Sequence, residues 1–153
     1  MRTRPRYFIY KGNLADMSNC FHLAYNVRDL NQCRDFYTKV LGCIEGRSTK
    51  TWIDLNFFGH QLSLHLGEPF SVSNTGLVDK YKVPMPHLGL ILPMKEWEKL
   101  AQNLVAHHIQ FIIPPSIRFK GKPGEQAIMF FSDPSGNPIE IKGFSNMTSI
   151  FAK

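Results

Sequence analysis

Apolar and polar positions alternate along Phe21-His-Leu-Ala-Tyr-Asn-Val27 in the manner of a half-buried strand. Asp29 then stands where a helix cap belongs, and Cys33, Phe36, Tyr37, Val40 and Leu41 fall on one face of a helix predicted over 31–41. Gly42 stops it, as a glycine just past a helix does. Strand patterns follow at 43–47, 51–57 and 61–66. The stretch 67–85 is rich in Gly, Pro, Ser and Asn and reads as a linker. After it the order starts again: a strand over 86–92, a helix over 94–107 with Trp97, Leu100, Ala101, Leu104 and Val105 at helical spacing, then strands at 110–113, 126–132 and 138–142.

This repetition is an internal duplication. His22 and His87 lie 65 residues apart (87 − 22), and that shift lays Phe21-His-Leu-Ala24 over Pro86-His-Leu-Gly89. At the other end Gly59-His-Gln-Leu-Ser-Leu64 lies over Gly136-Asn-Pro-Ile-Glu-Ile141 with a shift of 77 (136 − 59), and the extra 12 residues fall in a longer loop at 114–125. The expected fold is therefore α+β, two βαβββ modules over about 20–67 and 86–143 within a single domain 17–153. Residues 1–16 match no periodic element and are set aside as an arm, an extended start or an expression remnant.

The composition excludes several classes. At 153 residues and 43% hydrophobic, the chain is sized to bury one core without disulfides. It has no run of about 18 apolar residues and no signal-type apolar segment, and its three cysteines include no CxxC pair. A soluble, cytoplasmic protein without membrane partners is expected. The net charge of +6 comes from scattered Lys and Arg, apart from Arg2, Arg4, Arg6 and the segment Arg118-Phe-Lys-Gly-Lys122, so nucleic acid is not the expected partner.

Matched positions in duplicated modules should face one another, which brings His22 and His87 to a shared concave surface. Glu140 lies in the last strand with Pro138 and Lys142 on its face while Ile139 and Ile141 take the apolar one, and a carboxylate placed there needs a partner or a metal. Two imidazoles and a carboxylate with open positions form a facial triad suited to Fe(II), Mn(II), Zn(II) or Ni(II). His65 shares the parity of Gln61 and Ser63 and is a candidate base or fourth ligand. His107 and His108, following a helix, suit its C-terminal dipole and are read as structural. Trp52 and Trp97 are read as core.

The segments Phe21-His-Leu-Ala-Tyr-Asn-Val-Arg-Asp-Leu30, Cys33-Arg-Asp-Phe-Tyr-Thr-Lys-Val-Leu-Gly42 and Phe131-Ser-Asp-Pro-Ser-Gly-Asn-Pro-Ile-Glu-Ile141 resemble the glyoxalase, bleomycin-resistance and extradiol-dioxygenase superfamily, the vicinal oxygen chelate enzymes. The resemblance implies a mixed sheet cupped around one divalent metal, with His22, His87 and Glu140 as ligands. Glyoxalase I enzymes carry a glutamate ligand on the last strand of the first module, where this chain has Ser63 (140 − 77). The extradiol dioxygenases use three protein ligands with Fe(II), and their acid/base histidine aligns near His60. Their penultimate-strand tyrosine aligns with Phe130 or Phe131, and Phe130 is taken as substrate-facing. The resemblance thus favours a dioxygenase-type oxidoreductase acting on a small oxygen-bearing molecule, with Fe(II) as cofactor and His60 or His65 moving protons. A glyoxalase-like lyase or isomerase, or a non-catalytic drug binder of the bleomycin-resistance kind, is the alternative. The loop from Ile117 to Gln126 is expected to close over the cleft and set substrate choice, with Arg118, Lys120 and Lys122 meeting an anionic group.

The resemblance also implies a homodimer, in keeping with strand-rich modules whose sheet edges need covering. Light scattering at micromolar concentration should give twice the mass of one chain. A single-chain mass would count against the dimer.

Overall fold

The computed structural model describes residues 19–153, and the expectation for 1–16 lies outside the described residues. These residues form two compact units. The first runs to Phe70 and takes in Pro134–Gly136, and the second comprises Ser71–Asp133 and Asn137–Lys153.

In the first unit, β1 (His22–Val27) leads to α1 (Leu30–Asp35), whose cap Asp29 accepts the Gln32 amide at 2.9 Å. The helix does not stay α-helical to 41. Phe36–Val40 winds as a π turn, with the Leu41 amide reaching back five residues to the Phe36 carbonyl at 3.1 Å. Thr38 returns its hydroxyl to the Arg34 carbonyl at 2.7 Å, a bond that bends helices and that apolar spacing does not reveal. Gly42, at φ 77°, ends the turn. Then come β2 (Ile44–Ser48), β3 (Trp52–Phe57) and β4 (His60–Leu66). The sheet order is β1-β4-β3-β2, with β4 parallel to β1 and antiparallel to β3.

Alternation divides this sheet into two faces. Ile53, Leu55, Leu62 and Leu64 are buried, in a core that also holds Cys33 and Tyr37 of the helical segment. The other face carries His22, Ala24 and Asn26, which register against Gln61, Ser63 and His65, and these in turn against Asn56, Asp54 and Trp52. Cys33 and Cys43 are buried and Cys20 is exposed. Burial pushes the Cys43 thiol far above the usual thiol range, so it stays protonated and inert.

The second unit opens with a correction. The stretch expected to be a linker holds a hairpin, β5 (Ser73–Val78) and β6 (Tyr81–Met85), turned by Asp79 in the left-handed region at φ 53°. Gly76 faces Val83 across the hairpin, and a Cβ there would meet Val83 Cγ2 at 2.7 Å, so the glycine is required by packing as well as by the turn-rich composition that hid the strands. The chain continues through β7 (Leu88–Pro93), α2 (Met94–Ala106), β8 (Phe111–Arg118), β9 (Gln126–Ser132) and β10 (Pro138–Phe144). Strand β7 begins two residues later than expected, so His87 precedes the strand. Strand β8 runs five residues beyond its predicted end (118 − 113), so much of the expected long loop is sheet.

The order β7-β10-β9-β8 repeats that of the first unit, again with first and last strands parallel. The register obeys the shifts read from the sequence: Leu23 pairs Leu62 in one unit, and Leu88 (23 + 65) pairs Ile139 (62 + 77) in the other. The fold is α+β, built on two βαβββ modules as expected. One face of the second sheet packs on α2, where the Trp97 indole donates to the Ile141 carbonyl at 3.0 Å. On the other face Ile113, Ile128 and Phe130 are covered by Val83 of the hairpin.

Gly143 lies so close to Trp97 that an added Cβ would meet its Cγ at 2.7 Å and its Cβ at 2.8 Å, while at Gly89 it would meet only a carbonyl oxygen at 3.6 Å. Gly143→Ala should lower stability by about 1–3 kcal/mol, a fall in Tm of several degrees by circular dichroism, because the indole is fixed by its hydrogen bond. Gly89→Ala should leave Tm nearly unchanged.

Candidate metal centre

Glu140 sits in the middle of β10 and is only 7% exposed. Its register neighbours are Gly89 on β7 and Phe130 on β9, and Ile139 and Ile141 turn to the opposite face. A carboxylate so enclosed needs compensation. Lys142, two residues on and on the same face, brings its Nζ to 3.6 Å from Oε2. The His87 imidazole brings Nε2 to 3.3 Å from the same oxygen.

His87 is held from two sides. Its Nδ1 lies 2.9 Å from the Pro84 carbonyl, and the edge of its ring meets Phe130 with centroids 4.9 Å apart. A carbonyl only accepts, so Nδ1 carries the hydrogen and the neutral ring has its lone pair on Nε2, aimed at Glu140. A lone pair and a carboxylate oxygen repel at this range unless a proton or a cation comes between them. Two ligands of one ion, each at about 2.0–2.1 Å, stand roughly 3.0–3.4 Å apart, so this pair fits a divalent metal by spacing and by donor type.

His22 opens β1 on the polar face of the first sheet and is exposed. His65 lies on that same face, stacked on Trp52 with centroids 6.5 Å apart, beside a depression of about 340 Å³ that Asn26, Glu68 and Phe70 also line. His60 accepts the Phe21 amide on Nδ1 at 3.1 Å and has the parity of Leu62 and Leu64, opposite to His65. Phe130 is fully buried, packed on Val83 and on the His87 ring. Arg118 belongs to β8, and its Nε and Nη2 donate to the two Asp79 oxygens at 3.0 and 3.2 Å. Lys120 is exposed in the turn that follows. Among the described residues no three His, Cys, Asp or Glu side chains converge as a metal-holding group, and the structure brings together two of the expected ligands, His87 and Glu140.

Two participants went unnoticed in the sequence. Asp54 accepts the Ser63 hydroxyl at 2.5 Å and meets Arg47 at 3.4 Å, which places a carboxylate on the polar face of the first sheet. The alternation Trp52-Ile-Asp-Leu-Asn-Phe57 already gave it that face. Pro84 was lost in the supposed linker, where the spacing of Val78, Tyr81 and Val83 was the available signal.

The sequence profile of the Glyoxalase/Bleomycin resistance protein/Dioxygenase superfamily matches residues 20–141. The chain belongs to this superfamily. Among solved structures, the superfamily protein from Alicyclobacillus acidocaldarius is 32% identical, covers 88% of this chain and 97% of its own, and superposes with a TM-score of 0.71. The fosfomycin resistance protein FosX from Listeria monocytogenes is 16% identical over 87% of this chain and 98% of its own, with a TM-score of 0.63. Lactoylglutathione lyase from Agrobacterium tumefaciens is 16% identical over 85% and 96%, with a TM-score of 0.60. The latter two likenesses show the fold alone. No curated protein sequence matches. Superfamily members typically bind a divalent metal, and they act on or hold small molecules. No helix among the described residues is long and apolar enough to cross a membrane.

In protein stripped of divalent ions, Lys142 is the cation that offsets the enclosed Glu140. Lys142→Met should therefore destabilise the chelated protein by about 1–3 kcal/mol in urea unfolding. Lys142→Met combined with Glu140→Gln should recover most of that loss. Additive losses in the double variant would show that the two side chains are not coupled.

Proposed function

We propose that the protein is a metal-dependent enzyme in which His22, His87 and Glu140 hold one divalent ion, and that its substrate is a small molecule with two adjacent oxygens. The observation that carries this reading is the His87–Glu140 pair, with Nε2 and Oε2 at 3.3 Å and the imidazole tautomer set by the Pro84 carbonyl. The third ligand is supplied by duplication, since His22 stands in the first module where His87 stands in the second. The ion, when bound, would act as a Lewis acid and orient the substrate oxygens. The chain's own contributions are a buried carboxylate, an oriented imidazole and the apolar cluster of Val83, Ile128 and Phe130, whose Phe130 is the cross-strand neighbour of Glu140.

Within that reading we favour dioxygenase-type chemistry with Fe(II). Ser63 occupies the position equivalent to Glu140, and its hydroxyl is given to Asp54, which argues for three protein ligands and against a fourth. Open positions then remain for a chelating substrate and for O2. His65, on the face of His22, is the favoured proton carrier, because His60 has one ring nitrogen committed to the Phe21 amide. The second reading, a lyase or isomerase, is favoured by Asp54, a carboxylate on that same polar face available as a base.

Isothermal titration with Zn(II) or anaerobic Fe(II) should show one ion per chain. His22→Ala, His87→Ala and Glu140→Ala should each abolish binding while far-UV circular dichroism stays intact. Full metal occupancy in any of these variants would overturn the ligand assignment. Oxygen consumption that requires Fe(II) supports the dioxygenase reading, and anaerobic turnover with Ni(II) or Zn(II) supports the lyase.

A further inference from the structure

The β5–β6 hairpin is fixed to the second sheet by two contacts and meets His87 by a third. Val83 is 2% exposed and packs into the cluster of Ile113, Ile128 and Phe130, with Val78 and Tyr81 against its margin. Pro84, the next residue of the same strand, is buried, and its carbonyl accepts the His87 Nδ1 hydrogen at 2.9 Å. At the far end, Asp79 in the hairpin turn takes a two-pronged grip from Arg118, whose side chain is 18% exposed although Asp79 is open to solvent. A forked guanidinium–carboxylate pair fixes direction as well as distance.

These contacts lie in series. Arg118 ends β8 in the second sheet, Asp79 turns the hairpin, Val83 seats it, and Pro84 meets the imidazole. Gly76 allows the seat, since a side chain there would collide with Val83. If the hairpin lifts, the Pro84 carbonyl leaves with it, and the Glu140 carboxylate, an acceptor 3.3 Å from Nε2, then draws the hydrogen toward that nitrogen, while Phe130 restrains the ring by packing alone.

We propose that the Ser73–Met85 hairpin is the positioning element of His87, clasped by Arg118–Asp79 and acting through the Pro84 carbonyl to present Nε2 toward Glu140. Arg118 and Asp79 are thus positioning residues, and this inference rests on the metal-site reading only for its consequence in metal affinity.

Two readouts test it. In metal-free protein, long-range 15N–1H spectra report which nitrogen of His87 carries the hydrogen. With Co(II) alone as probe, visible absorption reports affinity and coordination. Arg118→Ala and Asp79→Ala should each spread His87 over both tautomers and weaken Co(II) binding by about tenfold or more, the scale seen when a group orienting a metal-bound histidine is lost. Far-UV circular dichroism should be unchanged. The reversed pair, Asp79→Arg with Arg118→Asp, should restore both readouts, which a general loss of stability would not do. An unchanged His87 tautomer in the Ala variants overturns the proposal, as does failure of the folded reversed pair to restore it. If the wild-type chain binds no Co(II), the metal reading falls, and the tautomer result in metal-free protein still decides the role of the hairpin.

Discussion

A carboxylate in the middle strand of a sheet, walled by phenylalanine and isoleucine, is the constraint around which the second module is arranged. Glu140 cannot remain there without compensation, and its neighbours supply it: Lys142 two residues on and His87 aimed from just before β7, beside the apolar cluster that includes its cross-strand neighbour Phe130. The cluster strengthens the attractions within it by lowering the local dielectric, and it raises the cost of losing any partner. Apolar packing and polar chemistry are on this face a single problem.

The first module solves a related problem differently. In register, Asp54 pairs Ser63 in β3 and β4, and Phe130 pairs Glu140 in β9 and β10. The same face thus carries one carboxylate in each copy, but on the penultimate strand in one module and on the last strand in the other. Duplication kept the backbone plan while the side-chain chemistry crossed to a neighbouring strand. Asp54 also remains more open to water than Glu140, and its partners are a hydroxyl and an exposed arginine.

How much of this was legible depended on the range of the interaction. The two-module repeat and the equivalence of Ser63 with Glu140 follow from period-two alternation and two subtractions, because duplicated modules must repeat their register, whereas the strand order and parallel closure came from the structure. The parity of Lys142 with Glu140 was legible for the same reason. The π turn after α1 was not, since apolar spacing does not distinguish it from continued α-helix; the Thr38 hydroxyl bond to the Arg34 carbonyl accompanies it. The β5–β6 hairpin was missed because glycine, proline and serine signal turns, while here Gly76 makes room for Val83 and Pro84 offers a carbonyl. Arg118 read as a free cation because its partner Asp79 lies 39 residues away in a segment given no structure.

The strand order carries a consequence for how each module is completed. In both sheets the last strand lies between the first and the third, so β4 fills the gap between β1 and β3, and β10 the gap between β7 and β9. A growing chain that has reached Ser132 holds β7 and β9 with the slot between them vacant, two unpaired edges exposed and the Phe130 side chain lacking its cross-strand neighbour. Closure waits for the segment that carries Glu140: its antiparallel pairing with β9 is local, but its parallel pairing with β7 is non-local and therefore slower. Until that moment the half-built sheet offers two open edges to foreign strands, so the strand that carries Glu140 is also the strand whose arrival closes them.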